Sequence, residues 1–279
     1  MSKYVFDINF YCKFYPDLND FSGNNAFLLK HYKLYGIKEK RICCRKELND
    51  IINKNLLLIE EEKIALTNYD YKKPNESKLN ILIRTSMRPE YFKTCIESVL
   101  SQNYTNYNIF ICYDKKESLT YLEKYSTIHN ISIHYIEINS DEKYKFNLYN
   151  NFLMSLVNDG FILFLDDDDM FAHNNVLKII NENILNDDSI LLWKFMRPDK
   201  VIYPSNVENI QLGEIDTTSA CFHNKKKGLS VWNDKKNGDY YFYSNMFKSL
   251  SSLDSVDFKI TELNFILIRT IFLDKVCNS

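Results

Sequence analysis

The stretch FILFLDDDDM, Phe161 to Met170, decides the fold. Five apolar residues, Phe161 to Leu165, run without polar alternation into Asp166, Asp167, Asp168 and Asp169. A strand with one wet face alternates, whereas an unbroken apolar strand is covered on both faces, as in the middle of a parallel sheet. The charge then falls at the strand's carboxyl end, where open α/β sheets form their ligand crevice. Four adjacent carboxylates repel one another and attract solvent or a cation. Successive residues also diverge, so they cannot all serve one ligand. A solvated acidic loop ahead of a helix is the plain alternative, and attachment to a buried strand argues for the crevice.

The flanking sequence repeats the theme. LNILIRTS (79–86), YNIFICYD (107–114), NISIHYIEIN (130–139) and SILLWKFM (189–196) read as further strands. Between them Phe92, Ile96, Val99 and Leu100 share one helical face behind Pro89, which suits a first helical position. Short helices are expected around Leu119 and Leu122, over Tyr144 to Val157, and through Val176, Leu177, Ile180 and Ile184. Asp159-Gly160 turns the chain into FILFL. Strands alternating with helices of this length predict an α/β fold, with a mostly parallel sheet flanked by helices. Thr85, Asp114 and the aspartates then lie at strand ends from different parts of the chain.

Residues 1–70 read as a small helical region, with ELNDIINKNLLLIEEEKIAL carrying apolar positions at helical spacing. The polar segment 71–78, broken by Pro74, reads as a linker, and 79–279 as the main domain. Beyond 197 the pattern is harder to read, and LNFILIRTIFL near the end suits either a strand or a helix.

Acids and bases nearly balance, with a net charge of -2, so no field gathers nucleic acid or anionic membrane. The seven cysteines lack any C-x-x-C pair, which argues against a zinc site or disulfide framework and for free thiols. Charges interrupt the first residues, so no signal peptide is expected. No apolar run approaches the roughly 20 residues of a membrane span. A cytoplasmic protein without a transmembrane segment is the expectation.

Three segments carry a family resemblance. ILIRTSMRPEYFKTCIESVLSQNYTNYNIFICYD (81–114) resembles the opening strand, T-x-N-R-P-like turn, C-x-x-S-V-x-x-Q helix and Asp-ended second strand of inverting family 2 glycosyltransferases with the GT-A fold. YKFNLYNNFLMSLVNDGFILFLDDDDMF (144–171) resembles their next helix and fLDxDD motif, and NGDYYF (237–242) their late Glu-Asp motif. The match spans about residues 80 to 250 and departs in places. Met87 stands where Asn is usual, Asn237-Gly238 precedes Asp239 where Glu is commoner, and the glycines of the 144–157 helix are missing.

The resemblance implies a GT-A (Rossmann-like) sheet and an activity. A sugar moves from a nucleotide-sugar, usually a UDP-sugar, to an acceptor hydroxyl on a glycan, a lipid-linked sugar or a protein, with inversion. Thr85 and Arg88 would lie near the nucleotide and its diphosphate. Asp114 would bond the base, and Asp166 and Asp167 would approach the ribose. Asp168 would hold Mn²⁺ or Mg²⁺, with His223 a further candidate ligand, while Asp169 would cap the next helix. Lys143, Lys145 or Asn151 would supply the donor contacts in place of the missing glycines. Asp239 would be the catalytic base. Asp216 is weighed between acceptor positioning and a helix cap; Trp232, Tyr240 and Tyr241 between a sugar platform and core packing. The alternative is a catalytically degenerate GT-A protein that binds nucleotide or glycan. FDINFYCKFYPDL and HYKLYGIKEKR near the amino terminus resemble a helical module found beside glycosyltransferases, for which packing or protein contact is the expectation.

Overall fold

The computed structural model describes residues 4–39, 41–67, 69–70, 76–204, 214–251 and 260–271. They fall into two compact units: the described parts of Met1–Asn68 with Arg197–Val201, and of Tyr69–Met196 with Ile202–Phe272.

The first unit contains helices α1 (Ile8–Phe14), α2 (Asn25–His31) and α3 (Arg45–Thr67). Asp7 and Asn24 cap the first two, each side chain accepting a hydrogen bond from a backbone N–H of the opening turn. The motif residues of this region have structural work. Arg41 bonds both Asp17 and Glu39 and lies over the Tyr15 ring, 4.7 Å from its centroid. The Tyr15 hydroxyl accepts from Ile42 N, and Leu18 joins Tyr11, Cys12 and Leu28 in a small core. The Y-P-D-L and H-Y-x-x-x-G-x-x-E-x-R patterns thus describe a self-packed helical fold.

The second unit threads β1 (Leu79–Thr85), α4 (Pro89–Leu100), β2 (Tyr107–Tyr113), α5 (Leu119–Leu122) and β3 (Ile131–Tyr135). It continues with α6 (Tyr149–Leu156), β4 (Phe161–Phe164), β5 (Asp169–Phe171), α7 (Val176–Asn183), β6 (Ile190–Met196) and β7 (Ile202–Tyr203). The elements β8 (Ala220–His223), α8 (Gly238–Ser251) and β9 (Ile260–Thr270) complete it. The described strands form one sheet in the order β3-β2-β1-β4-β8-β6-β9-β5, with β7 on β6. β3, β2, β1 and β4 run parallel, β8 is antiparallel to both its neighbours, and β6 is parallel to β9. The mostly parallel, helix-flanked sheet expected from the sequence is therefore present.

FILF is the fourth strand in that order, and all four of its residues are buried. It is entered through Gly160, whose φ of +82° and crowding against the Lys78 carbonyl leave no room for a side chain. On one face Leu82, Phe164 and Phe222 pack with Leu153 and Met154 of α6 and with Phe242, Tyr243 and Met246 of α8. Burying that set is the main stabilising term of this layer.

Two expectations shift, and one open choice is settled. Asp169 opens β5, which pairs with β9, and does not cap a helix; α7 begins after Asn175. β3 stops at Tyr135, although Ile136 and Ile138 still pack on the core. LNFILIRT resolves as a strand. Residues 71–75 of the expected linker lie outside the described residues. The six described cysteines are free and buried, and no described helix is long and apolar enough to cross a membrane.

Candidate active site

β1, β2 and β4 are parallel, so their carboxyl ends share one edge. Thr85 pairs with Tyr113 across β1 and β2, and Leu82 with Phe164 across β1 and β4. Leu165 N still bonds Leu82 O, so the residues just after β4 emerge beside Arg84 and Thr85. Asp114 follows β2 on the same edge, two strands away from the aspartates. At about 4.8 Å per strand that is roughly 10 Å.

The four aspartates then part company. Asp169 N donates to Asp166 O, closing a tight turn. Asp166 takes both oxygens to Arg84, at 2.9 Å from Nε and 3.0 Å from Nη2. Asp167 is fully buried, accepts the Thr85 hydroxyl at 2.6 Å and pairs with Arg88 through Nε and Nη2. Asp168 meets the same guanidinium at 3.1 Å from Nη1. Asp169 is buried beside Thr270, with Oδ1 lacking a hydrogen-bond partner.

Antiparallel β8 decides which later residues reach this edge. Its register sets Cys221 against Leu163 and His223 against Phe161. The residues before β8 therefore arrive at the aspartates, and those at its end leave for the far edge. Asp216 arrives, held in a turn where its Oδ1 accepts from Thr218 N at 3.2 Å. Asp166, Asp169 and Asp216 each offer a carboxylate oxygen, and these oxygens lie within 4.8 Å of one another. His223 sits opposite the start of β4, about five residues or roughly 17 Å of strand from Asp166. It bonds Lys225 N and faces Asp187, so it is not part of the acidic cluster.

Asp239 comes from the first turn of α8 and accepts from Tyr240 N at 2.7 Å. Asn237 precedes it with φ +59°, a conformation Asn tolerates. A Cβ on Gly238 would collide with the Asn147 amide, so the helix start abuts that side chain closely.

Electrostatically the edge is over-supplied with acid. Burial raises the Asp216 carboxyl to about 7, with help from Asp166 and Asp239. Burial raises Asp239 to about 6, Asp166 adding to the shift while Tyr240 N–H and Arg84 oppose it. Burial lifts Asp169 well above the usual carboxylate range, and Asp216 and Asp168 lift it further. Asp168 is raised by burial, and Arg88 opposes the shift. Among these groups, Arg84 and Arg88 are outnumbered by six aspartates. All-oxygen donors, mutual repulsion and an unpartnered buried Oδ1 on Asp169 are what a hard divalent cation relieves. The residues fit such an ion.

The remaining expected residues divide. Asp114 accepts from the Tyr149 hydroxyl at 3.2 Å, and its buried Oδ1 has no partner. Lys145 opens the turn that leads into α6 and is half-buried. Asn151 is engaged on both sides of its amide by the Trp232 backbone, so it clasps the fold. Trp232 is 1% exposed and stacks on Phe242 at 4.5 Å, which makes it core and not a sugar platform. Tyr240 also packs against the core, while Tyr241 is exposed. Sequence reasoning missed Arg84 and Asn147. A charge inside the apolar run LNILIRT was the available signal, since a buried arginine needs partners.

A mostly parallel α/β sheet with an acidic crevice at its carboxyl edge is the architecture of GT-A nucleotide-sugar enzymes. The family model for glycosyl transferase family 2 matches residues 81–236, more than half of the chain. The chain belongs to that family. No curated protein matches the sequence. Among solved structures, S. aureus TarS 1–349 is similar, with TM-score 0.54 at 16% identity, covering 69% of this chain and 60% of that one. The same TarS fragment in complex with UDP-GlcNAc superposes with TM-score 0.51. The mannosyltransferase PcManGT from Pyrobaculum calidifontis, in complex with GDP-Man and Mn²⁺, gives 0.53 at 10% identity, covering 80% of this chain and 68% of that one. At such identities the likeness shows the fold, and the chain spans only about 60% of the TarS fragment.

Proposed function

We propose that the chain is a metal-dependent, inverting glycosyltransferase that moves a sugar from a nucleotide-sugar, a UDP-sugar first, to an acceptor hydroxyl. The catalytic domain runs from residue 79, beyond the helical module and linker. The observation that carries the reading is the convergence of Asp166, Asp169 and Asp216 at the carboxyl edge, with Asp239 close enough to shift Asp216. The complexes of TarS with UDP-GlcNAc and of PcManGT with GDP-Man and Mn²⁺ support it by analogy of fold.

Asp166, Asp169 and Asp216 would hold Mn²⁺ or Mg²⁺, and Asp168 would join them when a diphosphate draws Arg88 away. A guanidinium forks readily onto phosphate oxygens, and the Arg88 side chain is 31% exposed, so it can be reached. When bound, the cation supplies neutralisation of the charge that grows on the diphosphate leaving group. Thr85 fixes Asp167 beneath the nucleotide, and Asp114 offers its unpartnered oxygen to the base. Lys145 would meet the diphosphate from the turn that leads into α6. Asp239 removes the acceptor proton. Raised to about 6, it is ionised at neutral pH and a stronger base than an ordinary aspartate. A single displacement with this separate base inverts the anomeric centre. A carboxylate so tuned favours catalysis over the degenerate, binding-only reading.

The test is thermal stabilisation of the protein by UDP, GDP, UDP-GlcNAc and GDP-mannose with and without Mn²⁺, followed by NMR of the released sugar's anomeric configuration. Metal-dependent stabilisation with nucleoside diphosphate release and inversion is the expected result. Absence of both stabilisation and release across the panel refutes the proposal.

A further inference from the structure

We infer that Arg84 is a positioning residue, holding the metal-side carboxylate Asp166 and the start of the Asp239 helix in one fixed frame. The inference rests on the sugar-transfer reading above. Arg84 is the one charged residue of β1, in a strand otherwise buried along its length. Its side chain is 14% exposed. Nε and Nη2 form the fork to Asp166, while Nη1 donates to Phe146 O at 3.0 Å and to Asn147 Oδ1 at 3.3 Å. The guanidinium also lies over the Phe146 ring, 4.8 Å from its centroid.

Asn147 carries the connection onward. It is 6% exposed, and its Nδ2 donates to Lys235 O at 3.1 Å. The same amide abuts Gly238, immediately before Asp239. Asp166, Arg84, Asn147 and Gly238 thus form a continuous chain of contacts from the end of β4 to the first turn of α8.

Why such a chain matters follows from the turn at 166–169. Successive aspartates diverge, so the direction of the Asp166 carboxylate is not set by the strand alone. The Arg84 fork sets it, yet uses one lone pair on each oxygen and leaves the others for a cation. Simple charge neutralisation would be met equally by lysine. A lysine ammonium is a compact point charge, and it cannot span Asp166, Phe146 O and Asn147 together. Losing a partner that orients a metal-binding carboxylate typically weakens metal binding about 10–100-fold.

The experiment compares wild type, Arg84→Lys, Arg84→Met and Asn147→Ala. Free Mn²⁺ is titrated by electron paramagnetic resonance, circular dichroism monitors folding, and hydrolysis of UDP-GlcNAc and GDP-mannose gives kcat and KM. Arg84→Lys is expected to stay folded and bind Mn²⁺ at least about tenfold more weakly. Asn147→Ala keeps the fork, so its Mn²⁺ affinity stays within about twofold while kcat falls about tenfold at unchanged KM. Mn²⁺ affinity in Arg84→Lys within about twofold of wild type overturns the inference, as does an unchanged kcat in Asn147→Ala. Should Arg84→Met fail to fold, the other two variants, which keep the buried charge, decide. A wild type that binds Mn²⁺ but is neither stabilised by the nucleotide panel nor cleaves a sugar nucleotide sinks the transfer reading, and the Mn²⁺ comparison still judges Arg84. No Mn²⁺ binding by wild type overturns both.

Discussion

Asp216→Asn changes stability in opposite directions with and without metal. In wild type the Asp216 carboxyl is raised from 3.8 to about 7 by burial and by Asp166 and Asp239. A group raised in the folded state stabilises fully below its unfolded pKa and loses that contribution as pH climbs through the folded value. Between pH 6 and 8 the unfolded carboxyl is already ionised while the folded one is still losing its proton, so wild type loses on the order of 1 kcal/mol. Partial exposure of Asp216 screens the repulsion, which makes that figure an upper bound. Asparagine keeps the Oδ1 acceptor for Thr218 N and carries no charge. The variant's advantage without metal is therefore larger at pH 8 than at pH 6 by up to about 1 kcal/mol, or roughly 2–4 °C in Tm. With Mn²⁺ at about 100 times its Kd, wild type gains about 2.7 kcal/mol, and the variant should lose most of that gain. Thermal denaturation at both pH values, in EDTA and in Mn²⁺, reads all four states. An Asp216→Asn protein with no advantage at pH 8 in EDTA and an undiminished Mn²⁺ gain would refute the placement of Asp216 in the cation site.

Other outcomes follow from the same geometry. Asp239→Asn should keep metal-dependent UDP binding while kcat falls about 100-fold or more, as for loss of a general base; full turnover would remove Asp239 from that role. His223→Gln, at the far end of β4, should leave Mn²⁺ affinity within about twofold, and a large loss by titration would reinstate the histidine as a ligand. Trp232→Ala should destabilise the fold by about 3–5 kcal/mol in urea unfolding; a loss of sugar affinity at unchanged stability would mark the ring as a platform after all.

The parts of this fold that could be read from sequence are those written locally. FILF announces a buried strand because it lacks alternation, and Pro89 and Gly160 punctuate the chain by their backbone constraints. Strand direction is not written locally. ACFH looks the same run either way, yet only the antiparallel course of β8 brings Asp216 to the aspartates and carries His223 off. β5 escaped notice because it is three residues long and begins with the charge that signalled a loop. The site was legible as a cluster of acids and obscure in its partners. A motif gives the identity of Asp166 to Asp169, whereas their directions depend on Arg84 and Arg88, which reach them from β1 and the turn after it.

Those two arginines explain how so much acid can persist beside an apolar strand. Fully ionised and unpaired, buried carboxylates would be strongly destabilising. Arg88 pairs with Asp167 and Asp168 and Arg84 with Asp166, yet two arginines cannot offset six acids: burial still raises Asp167 to about 7 and lifts Asp168, Asp169, Asp216 and Asp239 as well. On the reading proposed above, that unrelieved repulsion is what the site uses. A divalent cation would bind where repulsion is left standing, and the acceptor proton would be taken by Asp239, whose carboxyl is lifted to about 6 by burial first and by Asp166 in addition. Complete pairing of the cluster would make a more stable protein and a poorer site, since neither the cation nor the acceptor proton would then relieve anything.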